Sequence, residues 1–168
     1  MRYFPAALAL SLALAVTGSM GQARMADPAD PRAADLLNNG RIELAHGEVD
    51  AATDAFESAL VVDPGYAGTL VALGDAARKA GLQGKAIHYY RVALERDPND
   101  VAAIAGEGSA MAEKGALDKA RANLVRLEGL CGKGCAETHV LADAIAKGPA
   151  PKVVSADAVK PRPVAQAN

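Results

Sequence analysis

Apolar and small residues recur along the central part of the chain with the period of an α-helix. Two consecutive stripes show this spacing: Leu70, Leu73 and Ala77, then Ala86, Tyr90, Ala93 and Leu94. The pattern predicts helices over 31–46, 49–62, 67–80, 83–97, 101–114, 117–130 and 135–147. Alanine is the commonest residue, whereas aromatic residues make up only 4% of the chain. Because alanine favours helices and aromatic residues favour strands, the composition also indicates an all-α protein.

A second period, of 34 residues, relates three consecutive parts of the chain. Seven columns keep this spacing: Leu36, Leu70 and Ile104; Gly40, Gly74 and Gly108; Gly47, Gly81 and Gly115; Ala52, Ala86 and Ala120; Phe56, Tyr90 and Leu124; Ala59, Ala93 and Leu127; Pro64, Pro98 and Gly132. So many columns at one spacing indicate three copies of a single structural unit.

Each column has a physical role. The Gly and Ala columns mark places where two helices approach too closely for a larger side chain. The glycines of the third column lie in turns, where the end of a helix favours a positive φ. Proline ends the second helix of a unit, because the residue before it is pushed out of the α region. At the start of the array, Asp30 is predicted to cap the first helix and Pro31 to occupy its first position.

At these residues the sequence resembles the tetratricopeptide repeat family, whose 34-residue unit is a pair of helices joined by a turn. The resemblance covers residues 33–132, as units 33–66, 67–100 and 101–132. The second unit carries the family's signature residues: Leu70, Leu73, Gly74, Gly81, Ala86, Tyr90, Ala93 and Pro98. The outer units depart from the family pattern at Asn39, Glu107 and Gly132.

The resemblance implies a right-handed α-solenoid of three helix-turn-helix repeats. An isolated hairpin of this kind cannot bury its apolar face, so about three units and a covering element are needed. Residues 133–147 are predicted to supply a C-terminal capping helix, whose apolar stripe is Val140, Leu141, Ala144 and Ile145.

The resemblance also implies a concave groove that binds a peptide or protein segment and is lined by the first helix of each hairpin. Carried over to this chain, the lining is Leu37, Asn38, Arg41, Leu44, Ala45, Val71, Asp75, Arg78, Lys79, Ala102, Ala105, Ser109 and Glu113. The candidate partner-binding residues are Asn38, Arg41, Asp75, Arg78, Lys79, Ser109 and Glu113. These charges and small residues suit a segment with acidic and small apolar side chains.

One version of this groove clamps a terminal carboxylate with Lys and Asn side chains. The matching positions here hold Leu37, Arg41, Ala72, Ala102 and Gly106. With a single cation left, the resemblance does not extend to that clamp, and a cytosolic chaperone adaptor is disfavoured.

The two ends of the chain differ from the repeats. Arg2, an apolar run over residues 4–16 and a small-residue site ending at Ala23 are typical of a secretory signal peptide over residues 1–23. We therefore expect an exported, periplasmic protein with a short leader at 24–32 and no stable membrane anchor after cleavage. The Pro-rich composition of residues 148–168 predicts a disordered tail. The alternatives are that residues 160–163 form a polyproline ligand for a partner or contact an anionic envelope polymer.

Cys131 and Cys135 flank a short loop that contains two glycines. The glycines allow the backbone to bring the two side chains within bonding range, and an exported protein meets oxidising conditions. A structural disulfide is the leading interpretation. The alternative is a thiol- or zinc-dependent module that uses Cys131, Cys135 and His139, although a fourth zinc ligand is not evident.

The net charge and the absence of known catalytic motifs in the sequence exclude several classes of function. A net charge of −2 and a pI of about 5.9 leave no basic field for nucleic acid. The sequence has no phosphate-binding glycine loop, no zinc-protease motif and no nucleophile elbow. It therefore predicts no catalytic residues, no cofactor and no metal. The resulting hypothesis is a non-enzymatic adaptor of the cell envelope, serving pilus, secretion or envelope assembly, whose protein or peptide partner the sequence does not name.

Overall fold

The computed structural model describes residues 30–149, which fold into seven helices. The helices are α1 (Pro31–His46), α2 (Val49–Val62), α3 (Ala67–Lys79), α4 (Gln83–Arg96), α5 (Val101–Glu113), α6 (Leu117–Cys131) and α7 (Ala136–Lys147). Every predicted helix is present and its ends agree to within one residue. Between residues 30 and 149 the chain forms no strand, and no helix there is long and apolar enough to cross a membrane. The predicted signal peptide and nearly all of the predicted tail lie outside the described residues.

Local signals place the helix ends as predicted. Oδ1 of Asp30 accepts a 2.8 Å hydrogen bond from the backbone N–H of Arg32, and Pro31 is the first residue of α1. The turn inside each hairpin passes through a glycine with a positive φ: 89° at Gly47, 75° at Gly81 and 89° at Gly115. Only glycine adopts this conformation without a steric penalty, so the turn column of the repeat is a backbone requirement.

The turns between units are held by polar side chains. Oδ1 of Asp63 accepts the backbone N–H of Gly65 at 3.0 Å, and Oδ1 of Asp97 makes the same contact with Asn99 in the next unit. Two arginines then tie consecutive units together: Arg96 donates to the carbonyl of Pro64, and Arg126 donates to the carbonyl of Pro98. The Asp-Pro turns therefore connect the units as well as ending the helices.

Three antiparallel hairpins stack in chain order, and α7 packs on α5 and α6. In the first two units the aromatic rings of Phe56 and Tyr90 are fully buried, and each ring packs over a glycine of the facing helix. A Cβ on Gly40 would overlap the ring of Phe56, and a Cβ on Gly74 would lie 2.7 Å from Cζ of Tyr90. The same Cε1–Cζ edge of the Tyr90 ring also fills the space above Gly106, in the following unit. Tyr90 thus connects the second unit to the third.

The third unit departs from the predicted pattern. Leu124, the third member of the aromatic column, is only partly buried, and the space above Gly108 is filled by Leu141 of α7. A Cβ on Gly108 would lie 2.7 Å from Cδ2 of Leu141. A leucine side chain is shorter than an aromatic ring, so the core of this unit is completed by the following helix. The small columns do hold, since Ala52, Ala86 and Ala120 are all fully buried.

Candidate functional site

The first helices of the hairpins, α1, α3 and α5, lie side by side, and their exposed faces form a groove that continues onto α7. The groove has two adjoining parts, which share Asp75 and Arg78. The charged cavity, of about 550 Å³, is lined by Arg41, Leu44, Ala45, Asp75, Arg78, Lys79 and Glu113. The apolar cavity, of about 180 Å³, is lined by Val71, Asp75, Arg78, Ala102, Ala105, Gly106, Ala136, Glu137 and Val140.

Two cations of the charged cavity hold neighbouring helices together. Nη2 of Arg78 on α3 donates to Oε1 of Glu113 on α5 at 2.8 Å, and its Nε donates to the same oxygen at 3.3 Å. Both side chains are mostly buried, so water screens this ion pair less than a surface pair. Nζ of Lys79 donates to the carbonyl of Leu44 near the end of α1 at 2.6 Å. The charges of α3 thus bridge both adjacent groove helices.

The floor of the charged cavity contains a carboxylate bound to a buried phenol. The hydroxyl of Tyr90 donates to Oδ1 of Asp75 at 2.6 Å, and Nη1 of Arg78 lies 4.0 Å from the same oxygen. Partial burial raises the pKa of Asp75 above its usual value of 3.8, although the Tyr90 hydrogen bond and the charges of Arg78 and Arg41 partly lower it. Burial, and then the charge of Asp75, raise the pKa of Tyr90 well above its usual range, so the phenol stays protonated and donates.

Arg41 differs from the other cations of the charged cavity. Its side chain is exposed on α1, and within residues 30–149 it has neither an ion pair nor a side-chain hydrogen bond. A guanidinium in this state can form two parallel hydrogen bonds with an incoming carboxylate without first breaking an internal contact. Among the described residues that line the charged cavity, Arg41 is therefore the cation available to a partner.

The structure brings together five of the seven residues predicted to bind a partner, and these are Arg41, Asp75, Arg78, Lys79 and Glu113. Asn38 is exposed on α1 but lines neither cavity. The prediction that Ser109 faces the groove is wrong, because its side chain is 0% exposed and its hydroxyl has no hydrogen-bond partner within the described residues. Leu37 is likewise buried in the core instead of lining the groove. Neighbouring helices cover ten consecutive residues of α5, 103–112, which explains the burial of Ser109.

Sequence reasoning missed the contribution of α7 to the groove. Ala136, Glu137 and Val140 line the apolar cavity, so α7 is a wall of the groove as well as a cap. The 34-residue period contained this signal, because Ala136 follows Ala102 and Val140 follows Gly106 at that spacing. Helix α7 therefore occupies the place of the first helix of a fourth unit.

Glu107, a departure from the family pattern, has a structural role. It is only 7% exposed, and its carboxylate accepts hydrogen bonds from Nε of Arg91 at 2.8 Å and from Nδ2 of Asn123 at 3.0 Å. A buried carboxylate requires such partners to offset its lost hydration. Glu107 thus joins α4, α5 and α6 away from the groove.

The cysteine pair is joined as predicted. Sγ of Cys131 and Sγ of Cys135 lie 2.00 Å apart, which links the end of α6 to the residue before α7. The carboxylate of Glu137, not the imidazole of His139, is the further potential metal ligand that comes near the two sulfurs in the described part of the chain. Since bonded sulfurs offer no thiolate, the structure does not favour the zinc interpretation.

The fold is an all-α repeat solenoid whose stacked hairpins present a groove along one face. The sequence profile described as the tetratricopeptide repeat matches residues 37–101 and again residues 71–127. The chain therefore belongs to the tetratricopeptide repeat family. No curated protein sequence matches it.

Solved structures share this fold at low sequence identity. The TPR domain of Sgt2 from Aspergillus fumigatus is 23% identical, with a TM-score of 0.62, over 76% of this chain and 91% of that one. The type III secretion chaperone SycD of Yersinia enterocolitica, in complex with a peptide of the translocator YopD, is 17% identical, with a TM-score of 0.60, over 68% and 89%. PcrH, in complex with the chaperone binding region of PopB, is 21% identical, with a TM-score of 0.61, over 71% and 97%.

Proposed function

We propose that this protein is a non-enzymatic adaptor that binds a peptide or protein segment in the groove along α1, α3, α5 and α7. The observation that carries the proposal is the continuity of the charged cavity with the apolar cavity, together with the guanidinium of Arg41, which forms no ion pair within residues 30–149. The groove offers both charged and apolar contacts on helices that are held rigidly by packing. The protein itself therefore loses little conformational entropy when it binds a segment.

The fold relatives support the same function. SycD and PcrH were both solved with a segment of another protein bound, a peptide of YopD and a region of PopB respectively. In this chain the polar residues of the groove act as fixed recognition groups, because Asp75, Arg78 and Glu113 are held by one another and by Tyr90. Helix packing sets their positions before a partner arrives.

We place this adaptor in the cell envelope. The pattern of residues 1–23 supports export, and a disulfide between Cys131 and Cys135 is suited to an oxidising compartment. Expression of the full chain in a Gram-negative host, followed by N-terminal sequencing of the periplasmic fraction, tests this location. We expect a mature protein that begins near Arg24. Intact Met1 on protein that stays in the cytoplasm would overturn the assignment.

A groove-blocking variant tests the binding function. Ala102 is an exposed residue on the wall of the apolar cavity, so Ala102→Trp fills the groove without disturbing the core. The matched control is Ala122→Trp, at an exposed position of α6 that lines neither cavity. We expect the mature protein and the control to capture the same envelope proteins after crosslinking, and Ala102→Trp to lose them. Equal capture by both variants would overturn the proposal that the groove is the binding surface.

A further inference from the structure

The α7 wall gives the groove an exposed aliphatic side chain. Val140 is 53% exposed, and it lines the apolar cavity opposite Val71 on α3. Between them the floor is made of Ala105 and Gly106, whose small size leaves the cavity open. A cavity of about 180 Å³ with these walls accommodates a small aliphatic side chain and removes apolar surface of both partners from water.

The two ends of the groove carry side chains of opposite charge. Arg41 provides the positive charge on α1, and Glu137 provides the negative charge on α7. Within residues 30–149 neither side chain has an ion-pair partner. The other charged residues that line the groove sum to zero, because Arg78 and Lys79 balance Asp75 and Glu113. The groove therefore has a polarity from the α1 end to the α7 end.

We propose that the partner segment crosses all four helices and carries charged residues whose order complements the two charged ends of the groove. It presents an acidic residue to Arg41, a small aliphatic residue to the cavity between Val71 and Val140, and a basic residue to Glu137. Charge complementarity fixes the direction of the segment in the groove, and the aliphatic anchor contributes affinity. This proposal rests on the proposed function and goes further, because it states the partner's chemistry and makes α7 part of the recognition surface.

A phage-displayed library of random dodecapeptides provides the probe. It is selected on the immobilised mature protein, on the single variants Arg41→Glu and Glu137→Lys, and on the control Lys119→Glu. Lys119 is exposed on α6 and lines neither cavity, so its reversal changes the net charge as Arg41→Glu does but leaves the groove unaltered. On the unaltered protein and the control, we expect enrichment of peptides with an acidic residue, small aliphatic residues and a basic residue in one order.

Reversal of either charge should change one end of the selected motif. Arg41→Glu should replace the acidic residue by a basic one, and Glu137→Lys should replace the basic residue by an acidic one. A peptide from the first selection, synthesised with its acidic residue changed to lysine, then provides a quantitative test by calorimetry. It should bind the unaltered protein about tenfold more weakly and regain affinity for Arg41→Glu.

The outcomes separate this inference from the proposed function. Enriched peptides that Ala102→Trp rejects but that show no dependence on Arg41 or Glu137 would overturn the inference and leave the groove as the binding surface. Absence of any enrichment, together with equal capture by the two tryptophan variants, would overturn both. Dimerisation in analytical ultracentrifugation that Arg41→Glu and Glu137→Lys abolish would show a second copy as the occupant, and would also overturn the inference.

Discussion

The phenol of Tyr90 donates a 2.6 Å hydrogen bond to Oδ1 of Asp75 and so joins the core of the repeats to the surface of the groove. The ring of Tyr90 is fully buried and contacts both Gly74 and Gly106, whereas the Asp75 side chain is about half exposed in the charged cavity. The orientation of this carboxylate is therefore set by a residue that has no exposed surface of its own.

Removal of the phenolic hydroxyl should weaken the fold without disturbing the ring packing. We expect Tyr90→Phe to lower the free energy of unfolding by about 1 to 2 kcal/mol, because the carboxylate loses its donor while the ring contacts remain. Urea unfolding followed by circular dichroism measures this change. Tyr89→Phe is the control, since the Tyr89 hydroxyl makes no hydrogen bond within the described residues. Equal losses in the two variants would mean that the bond to Asp75 is not the cause.

The pKa of Asp75 predicts a specific dependence of stability on pH. Partial burial raises this pKa in the folded state above 3.8. Between pH 3.8 and the folded-state pKa, the folded chain therefore retains a proton that the unfolded chain has released. The stability contributed by Asp75 is fully present below pH 3.8 and falls as the pH rises through the folded-state pKa. We therefore expect the free energy of unfolding of the unaltered protein to fall relative to that of Asp75→Asn between pH 3 and pH 7.

Urea unfolding of both proteins at a series of pH values tests this sign. Asn keeps an acceptor for the Tyr90 hydroxyl but does not titrate, so the difference between the two curves isolates Asp75. A difference that rises with pH would show that the Tyr90 hydrogen bond and the arginine charges outweigh burial.

Alanine substitutions at two glycines distinguish the effect of close packing on stability from the effect of helix propensity. Gly74→Ala places a Cβ 2.7 Å from Cζ of the buried Tyr90 ring, so we expect a loss of about 1 to 3 kcal/mol from overpacking. Gly84→Ala, on α4, has no atom within 4 Å of the new Cβ, and it should raise stability by up to about 1 kcal/mol. Thermal unfolding of the two variants measures both effects. A decrease for both would contradict the assignment of Gly74 to a packing role.

The two arginines of the charged cavity should respond differently to truncation. Arg78→Ala removes the link from α3 to Glu113 on α5, so we expect about 1 to 2 kcal/mol of lost stability as well as weaker partner binding. Arg41→Ala should leave the melting temperature nearly unchanged and weaken binding alone, by about 1 kcal/mol or more. Thermal unfolding, with calorimetry on a peptide selected from the library, separates these effects. An Arg41→Ala variant that keeps full affinity would show that Arg41 does not contact the partner.

The sequence by itself determined the helices and their ends. Gly47, Gly81 and Gly115 require a positive φ, the residue before each turn proline leaves the α region, and Asp30 caps α1 through its own side chain. Each of these signals acts over a few residues, so a pattern in the chain reports it directly. The 34-residue repetition then identified which helices form pairs, because equivalent positions pack in the same way.

The tertiary structure alone decided which side chains meet across helices. The placement of Leu141 over Gly108, the pairing of Glu107 with Arg91 and the burial of Ser109 all depend on how α4 to α7 are oriented. The same holds in the groove, where Arg78 binds Glu113 35 residues away and Arg41 has no ion-pair partner among residues 30–149. Such contacts join residues that are distant in the chain, and small rotations of a helix exchange one partner for another. Local propensity and periodicity do not predict those rotations, because the packing of the whole array sets them.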